Sequence, residues 1–197
     1  MPIAVTPVAA HEIDTTSASL ARAFLDDPMM LYLSGNDELA ETDLVPLFRA
    51  FQTIQLAHEM TFATEDRGAV AVWAPPGEWR IPFTKVVRHS TVFIKLFGTR
   101  FFGNLQVLTD LEKRHPEEPH YYLEFIGTDP VHQRKGYGTA LIEPMAARAD
   151  AEGVGMYLES SKESNVPFYA RFGFEVTSTM QHRRNGPEQW LMWRKPR

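Results

Sequence analysis

A β-prone segment, a basic loop with two glycines and a helical segment follow one another in the second half of this 197-residue chain. Residues 121–128 are apolar and aromatic, and residues 137–152 show a helical pattern. Between them, Gly136 and Gly138 let the backbone turn tightly and point successive amides in one direction. The helix that begins there adds the positive end of its dipole, and residues 133–135 add donors and charge. This order predicts a loop that binds phosphate or pyrophosphate.

The spacing of this loop differs from that of two common phosphate-binding motifs. It lacks the G-x-x-x-x-G-K-[ST] pattern of a P-loop, and Leu141 stands where G-x-G-x-x-G needs its third glycine. Residues 133–138 instead read Q/R-x-x-G-x-G/A, after the pair Asp129-Pro130. That pattern resembles the acyl-CoA loop of the GNAT superfamily of N-acetyltransferases. For the hexamer by itself, a β-turn before an ordinary helix is the alternative.

Further segments extend the resemblance in the expected order. Residues 165–174 read N-x-P-F-Y-x-R-x-G-F, which is typical of the same superfamily. The segments 69–73, 158–161 and 189–196 look like the puromycin N-acetyltransferase branch. Residues 75–118 do not share this similarity. Because that stretch helps to shape the acceptor site, the identity of the amine stays open.

The resemblance implies a fold, a domain organisation and a co-substrate. The fold class is α/β (α+β), with a central mixed, mostly antiparallel sheet whose central strands splay apart and are flanked by helices. We expect one domain over residues 1–197 and acetyl-CoA as co-substrate. Its pantetheine arm would lie along one strand and its pyrophosphate on the loop amides, and the residues implied are Ile126, Gly127, Thr128, Gln133, Arg134, Lys135, Gly136, Tyr137, Gly138, Thr139 and Asn165.

The strand before the loop carries a carboxylate that is a candidate general base. Strand alternation predicts that Tyr122, Glu124, Ile126 and Thr128 share one face. A carboxylate among apolar side chains should have a raised pKa, which suits it to take a proton from an alkyl ammonium directly or through water. The alternative is a strand carboxylate in an ion pair.

Tyr169 is the candidate general acid, a role that the resemblance implies for this position. A phenol can hydrogen-bond and protonate the departing CoA sulfur, because the ordinary pKa of a phenol lies near 10 and that of a thiol near 8.5. The alternative is an aromatic side chain that packs beside Phe168 and Phe172.

The acceptor site is less well defined by the sequence. Glu159 and Ser160 end a predicted strand near the acceptor, and Tyr32 and Trp73 are candidates for an aromatic pocket, with core packing as the alternative. No metal is expected, because the chain has no cysteine and Phe62 stands where an H-E-x-x-H motif that begins at His58 needs its second histidine. The other histidines, among them His115 and His120, are scattered and are interpreted as surface or core residues.

Composition narrows the function classes. The net charge of −5 argues against a nucleic-acid partner. No apolar run approaches 18 residues and no signal peptide is recognisable, so we expect a cytoplasmic enzyme without a membrane partner.

The expected partner is a small-molecule amine, and the apolar residues 190–193 would lie inside the sheet or at a homodimer contact. The alternatives are a protein acetyltransferase for lysine or an N-terminus, and a non-catalytic acyl-CoA sensor.

Periodicity and turn residues predict the elements. We expect strands over residues 3–8, 61–64, 69–74, 121–128, 154–160, 174–179 and 189–194, and helices over 13–26, 44–60, 137–152 and 165–172, with one or two more within 82–114.

Overall fold

The computed structural model describes residues 3–183 and 185–197, apart from the side chains of residues 83, 86 and 102. In this part of the chain the strands are β1 (Val5–Pro7), β2 (Thr61–Thr64), β3 (Ala69–Ala74), β4 (His120–Thr128), β5 (Gly155–Ser160), β6 (Glu175–Gln181) and β7 (Glu188–Arg194). The helices are α1 (Ile13–Ala23), α2 (Pro28–Ser34), α3 (Glu41–Gln55), α4 (Phe83–Arg88), α5 (Ser90–Phe97), α6 (Phe101–Glu112), α7 (Tyr137–Glu152) and α8 (Val166–Ala170). In the same residues, no helix has both the length and the apolar character needed to cross a membrane.

The strands form one open sheet in the order β1-β2-β3-β4-β5-β7-β6. Only the β4–β5 pair is parallel among the strands described. Its ladder joins residues 120–123 to residues 155–158 and stops there. Beyond that point β4 stays paired with β3, and β5 stays paired with β7. The central strands therefore splay apart, which confirms the predicted fold class.

Each face of the sheet is covered by its own hydrophobic core. Leu20 of α1 and Phe48 of α3 pack with Val72 on one face. Leu141 of α7 packs with Trp73 on the other face. Burying aliphatic and aromatic side chains of this size contributes about 1.5–3 kcal/mol each. The two cores hold the splayed strands between helical layers.

A β-bulge in β4 changes which side chains share a face. Val72 pairs with Phe125 and Trp73 pairs with Leu123, so Glu124 is an extra residue without a partner on β3. An extra residue reverses the alternation beyond it. Phe125 accordingly packs in the core of α1 and α3, whereas Ile126 packs in the core of α7.

The predicted face of β4 was therefore wrong beyond the bulge. Glu124 contacts Gln55 of α3, but Ile126 packs in the core of α7, and alternation puts Thr128 on the same face as Ile126. Gly127 instead lies on the face toward α1. A side chain at this position would collide with Ala23 and Leu20 of α1, so glycine is required.

Several helix boundaries also differ from expectation. Helix α2 was not predicted, although Asp27 accepts from the backbone N–H groups of Met29 and Met30 at 3.0 Å and Pro28 occupies the first turn. This combination is a known N-terminal signal. Helix α1 ends three residues earlier than predicted. Helix α3 begins three residues earlier and ends at Gln55, before a 3₁₀ turn.

Candidate active site

The splay between β4 and β5 opens a cavity of about 100 Å³. Its walls come from the end of α1, the two splayed strands and α8. The lining residues are Ala23, Phe24, Asp27, Leu123, Glu124, Phe125, Ile126, Leu158, Glu159, Ser160, Ser161, Lys162, Asn165 and Tyr169. The cavity brings together Glu124 with Asn165 and Tyr169, which the sequence had placed in two different segments.

Glu124 is a buried carboxyl group at the bulge. Gln55 at the end of α3 donates from Nε2 to Glu124 Oε1 at 2.6 Å. Glu124 Oε2 is buried and has no hydrogen-bond partner among the described residues. Burial raises the pKa of Glu124 to about 8, against a smaller lowering by the Gln55 hydrogen bond. A carboxyl group with such a pKa can exchange protons near neutral pH.

Glu159 is a second buried carboxyl group on the facing strand. The Tyr122 hydroxyl donates to Glu159 Oε2 at 2.6 Å. Burial raises the pKa of Glu159 to about 7, and the charge of Glu159 also helps to raise the pKa of Glu124. Two like charges in one cavity disfavour simultaneous ionisation, so the pair titrates as a coupled unit.

Tyr169 of α8 is buried and lines the same cavity. Burial raises its pKa, and the nearby charge of Asp27 adds to this effect. Asp27 is held by the α2 amides and by the hydroxyl of Ser161, which donates to it. The Tyr169 phenol therefore keeps its proton at neutral pH and can donate it.

The loop between β4 and α7 has the geometry of an anion-binding nest. Arg134 and Gly136 both have left-handed backbones, with φ of +62° and +88°. Gly136 is the N-cap of α7, and its carbonyl accepts from Ala140 N at 3.0 Å. The amides of the first helical turn have no acceptor within the helix, so they are available to an anionic group. Gln133 Nε2 donates to the Thr128 carbonyl at 3.2 Å and ties the loop to β4.

These residues fit the pyrophosphate of acetyl-CoA. The backbone supplies the amides, and two nearby side chains bond to other parts of the protein. Lys135 Nζ donates to the Val131 carbonyl at 2.8 Å, and the Tyr137 hydroxyl donates to Asp66 Oδ2 at 2.5 Å. A Cβ on Gly138 would lie 3.0 Å from Phe168 Cζ, so this glycine permits close packing between α7 and α8. Thr139 continues the first turn of α7.

Two of the residues proposed for the acceptor site do not line the cavity. Trp73 is fully buried in the core between β3 and α7. Tyr32 lies in a separate groove of about 770 Å³, where its hydroxyl donates to the Arg183 carbonyl at 2.9 Å. Glu159 and Ser160 do line the cavity, and the Ser160 hydroxyl donates to the Lys162 carbonyl at 2.9 Å.

The sequence alone did not indicate several residues at the site. The Asp27-Pro28 pair could have been read as a helix cap, which would have placed Asp27 at the end of α1. Gln55 carries no local signal, because its contact with Glu124 joins residues that are 69 positions apart.

Comparison with known proteins identifies the family of the chain. The profile of the acetyltransferase (GNAT) family matches residues 54–174, from the end of α3 to the end of the α8 turn. The chain belongs to this family. Since members of the family use acetyl-CoA, the protein is an acetyl-CoA-dependent N-acetyltransferase.

Individual relatives span most of the chain. An uncharacterised N-acetyltransferase of Schizosaccharomyces pombe is 29% identical over 183 residues, which are 87% of this chain and 74% of the relative. A Corynebacterium glutamicum structure, described as histone acetyltransferase HPA2 and related acetyltransferase, has a TM-score of 0.73 at 23% identity and covers 100% of this chain and 98% of its own. The Drosophila melanogaster polyamine N-acetyltransferase, which forms N-acetylagmatine, has a TM-score of 0.65 at 16% identity and covers 98% and 99%. The structural likenesses concern the fold.

Proposed function

We propose that this enzyme transfers an acetyl group from acetyl-CoA to the primary amine of a small molecule, with Glu124 as general base and Tyr169 as general acid. The observation that carries the proposal is the position of Glu124. It is a buried carboxyl group with one unpartnered oxygen and a pKa raised to about 8. It lines the cavity at the point where β4 and β5 separate. In this proposal the protein is a single cytoplasmic domain, and a homodimer is one of its possible states.

The mechanism follows from what each residue can do with a proton. Acetyl-CoA supplies an activated thioester. An alkyl ammonium has a pKa near 10 in water, so the amine must lose a proton before it can attack. Glu124 accepts that proton, directly or through water. Tyr169 donates its phenolic proton to the sulfur as the carbon–sulfur bond breaks, and the second proton lost by the attacking nitrogen restores the phenol.

The cofactor residues would position the thioester between these two groups. The backbone of Ile126, Gly127 and Thr128 would hold the pantetheine arm as an added strand, and Asn165 would contact the arm from the opposite strand. The loop amides from residue 134 to residue 139 would hold the pyrophosphate. Backbone recognition of this kind tolerates different side chains at the same positions.

The small size of the cavity, together with the helices that pack beside it on α3, supports a small acceptor. Helix α4 lies over the end of α3, where Lys85 Nζ donates to the Ile54 carbonyl at 3.2 Å. Phe93 of α5 packs on Phe51 of α3, with ring centroids 6.1 Å apart. A cavity of about 100 Å³ admits an amine group and its first carbons more readily than a folded protein surface. Polyamines and puromycin are candidates for such an acceptor.

The test is release of CoA thiol from acetyl-CoA with a panel of amines: puromycin, aminoglycosides, polyamines, aryl amines and lysine peptides. We expect release with one class of small amine and not with peptides. In Glu124→Gln we expect a loss of turnover of about 10²–10⁴-fold with acetyl-CoA binding retained. Release with peptides alone would replace this proposal by protein acetylation. Acetyl-CoA binding without release would favour a sensor.

A further inference from the structure

A row of polar groups leads from Glu159 to the surface. His115 Nδ1 lies 3.8 Å from Glu159 Oε1, and His115 Nε2 lies 2.9 Å from His120 Nε2. His120 Nδ1 lies 2.6 Å from the carbonyl oxygen of Glu118. Both imidazoles are buried, whereas Glu118 is exposed. The row therefore joins the cavity to solvent through two histidines that the mechanism has not used.

The hydrogen bonds give this row a direction. A carbonyl oxygen only accepts, so His120 Nδ1 carries the hydrogen. In a neutral imidazole the other nitrogen is then an acceptor, so His115 Nε2 must donate to His120 Nε2. This leaves His115 Nδ1 as an acceptor that faces Glu159. The Glu118 carbonyl thus fixes the tautomer of each ring. Each ring can accept a proton on its nitrogen nearer the cavity and release one from its nitrogen nearer the solvent.

The surroundings keep both rings neutral and fixed. Trp79 stacks on His115 with ring centroids 3.6 Å apart and planes inclined by 21°. Burial lowers the pKa of His115 to about 3 and also lowers the pKa of His120. The titratable and charged groups that face the row are Arg80 at His115, Glu118 at His120, Tyr157 at both rings, Arg114 at Tyr157, and Tyr122 and Glu124 at Glu159.

We propose that Glu159, His115 and His120 form the path by which the proton released during acetylation leaves the cavity. This inference rests on the proposed function, because an alkyl ammonium and acetyl-CoA give an amide, CoA thiol and one proton. An N–H bond of the ammonium breaks as Glu124 takes the proton, and the O–H bond of Glu124 then breaks as the proton passes to Glu159 in the same cavity, which returns Glu124 to the carboxylate.

Successive proton transfers then follow along the row. One proton enters the row at Glu159, and a different proton leaves it at His120. Glu159 Oε1 and His115 Nδ1 are 3.8 Å apart and must first close to hydrogen-bonding distance; the O–H bond of Glu159 then breaks as the N–H bond at His115 Nδ1 forms. The bond at His115 Nε2 breaks as the bond at His120 Nε2 forms, and the Nδ1 proton of His120 passes to water beside Glu118. A concerted shift spares each buried ring from holding a full charge. His115 and His120 touch no reacting atoms, so they are positioning residues for proton release.

The test replaces His120 by glutamine, whose amide keeps hydrogen-bonding capacity but cannot pass a proton on. We expect kcat at neutral pH to fall by about tenfold or more, with KM for acetyl-CoA and for the amine within about twofold, because only proton transfer is impaired. We also expect the rate of His120→Gln to rise with imidazole buffer concentration at constant pH, whereas the wild-type rate does not.

His182→Gln is the matched control. His182 is also buried, and its Nε2 lies 2.7 Å from Gln189 Oε1, away from the row. We expect this variant to keep the wild-type kcat and its independence of buffer.

Two results would overturn the path while leaving the proposed function in place. One is an active wild type with an unchanged kcat in His120→Gln, and the other is a reduced kcat that does not respond to buffer. If His120→Gln fails to fold, His115→Gln is judged by the same two criteria. A wild type that releases no CoA thiol with any amine would instead overturn the proposed function, and the path with it.

Discussion

The hydrogen bond from Gln55 controls how much of Glu124 is ionised, and its removal should shift the pH dependence of turnover. Gln55 Nε2 donates to Glu124 Oε1 at 2.6 Å, and this contact opposes the rise in the pKa of Glu124 that burial causes. Only the ionised carboxylate can accept a proton. In Gln55→Leu, therefore, turnover should need a higher pH than in the wild type.

The size of the shift follows from the strength of that hydrogen bond. A hydrogen bond to a charged group contributes about 1.5–3 kcal/mol, and one pH unit corresponds to about 1.36 kcal/mol. Water that enters the leucine variant would restore part of the loss. We therefore expect the midpoint of the rising limb of kcat to move upward by about one pH unit, with a fall of about tenfold in kcat at pH 7.

The assay is CoA thiol release at saturating amine and acetyl-CoA over roughly pH 6 to 10. Gln52→Leu is the matched control, because Gln52 lies one turn earlier on α3 and is bonded to Thr16 and Ser17 instead of Glu124. Its pH profile should keep the wild-type midpoint even if the fold is less stable. A profile of Gln55→Leu that superimposes on the wild type, or an equal shift in Gln52→Leu, would refute the reasoning.

Three further predictions concern the acid, the loop and the cost of the buried base. Tyr169→Phe should reduce kcat sharply while acetyl-CoA affinity stays within a few-fold of the wild type. Tyr121→Phe is the control and should keep the wild-type kcat, because the Tyr121 hydroxyl donates to Glu152 outside the cavity. Equal kcat values for Tyr169→Phe and the wild type would exclude the acid role. Gly136→Ala and Gly153→Ala, at φ of +88° and +67° at opposite ends of α7, should each destabilise the fold by about 1–2 kcal/mol, but only Gly136→Ala should raise KM for acetyl-CoA. The pKa of Glu124 is about 8 in the folded protein, against an ordinary value of 4.5. The protonated carboxyl group therefore makes its full contribution to stability below about pH 4.5, and this contribution is lost as pH rises through about 8. Thermal melting should therefore show Glu124→Gln above the wild type at about pH 9, with a smaller difference at about pH 5.

Local sequence was sufficient for the conformation of the loop before α7 and for the helix that follows it. Gly136 at the N-cap, Gly153 at the C-cap and the strand before the loop depend on backbone conformations that neighbouring residues largely determine. The resemblance at residues 165–174 similarly anticipated a short helix that carries Tyr169. The mixed and splayed sheet came from that resemblance and was confirmed in the structure.

Only the tertiary structure decided the contacts between residues that are distant in the sequence. A bulge at Glu124 depends on the register with β3, which strand alternation cannot reveal, so the predicted face failed beyond it. Gln55 reaches Glu124 because α3 packs over β4, and Glu159 lies beside His115 because β5 follows β4 in the sheet. These contacts set the burial of each carboxyl group, and burial sets its pKa. The sequence by itself determined which chemical groups are present and the local turns that carry them, whereas the long-range packing decided which groups share one cavity.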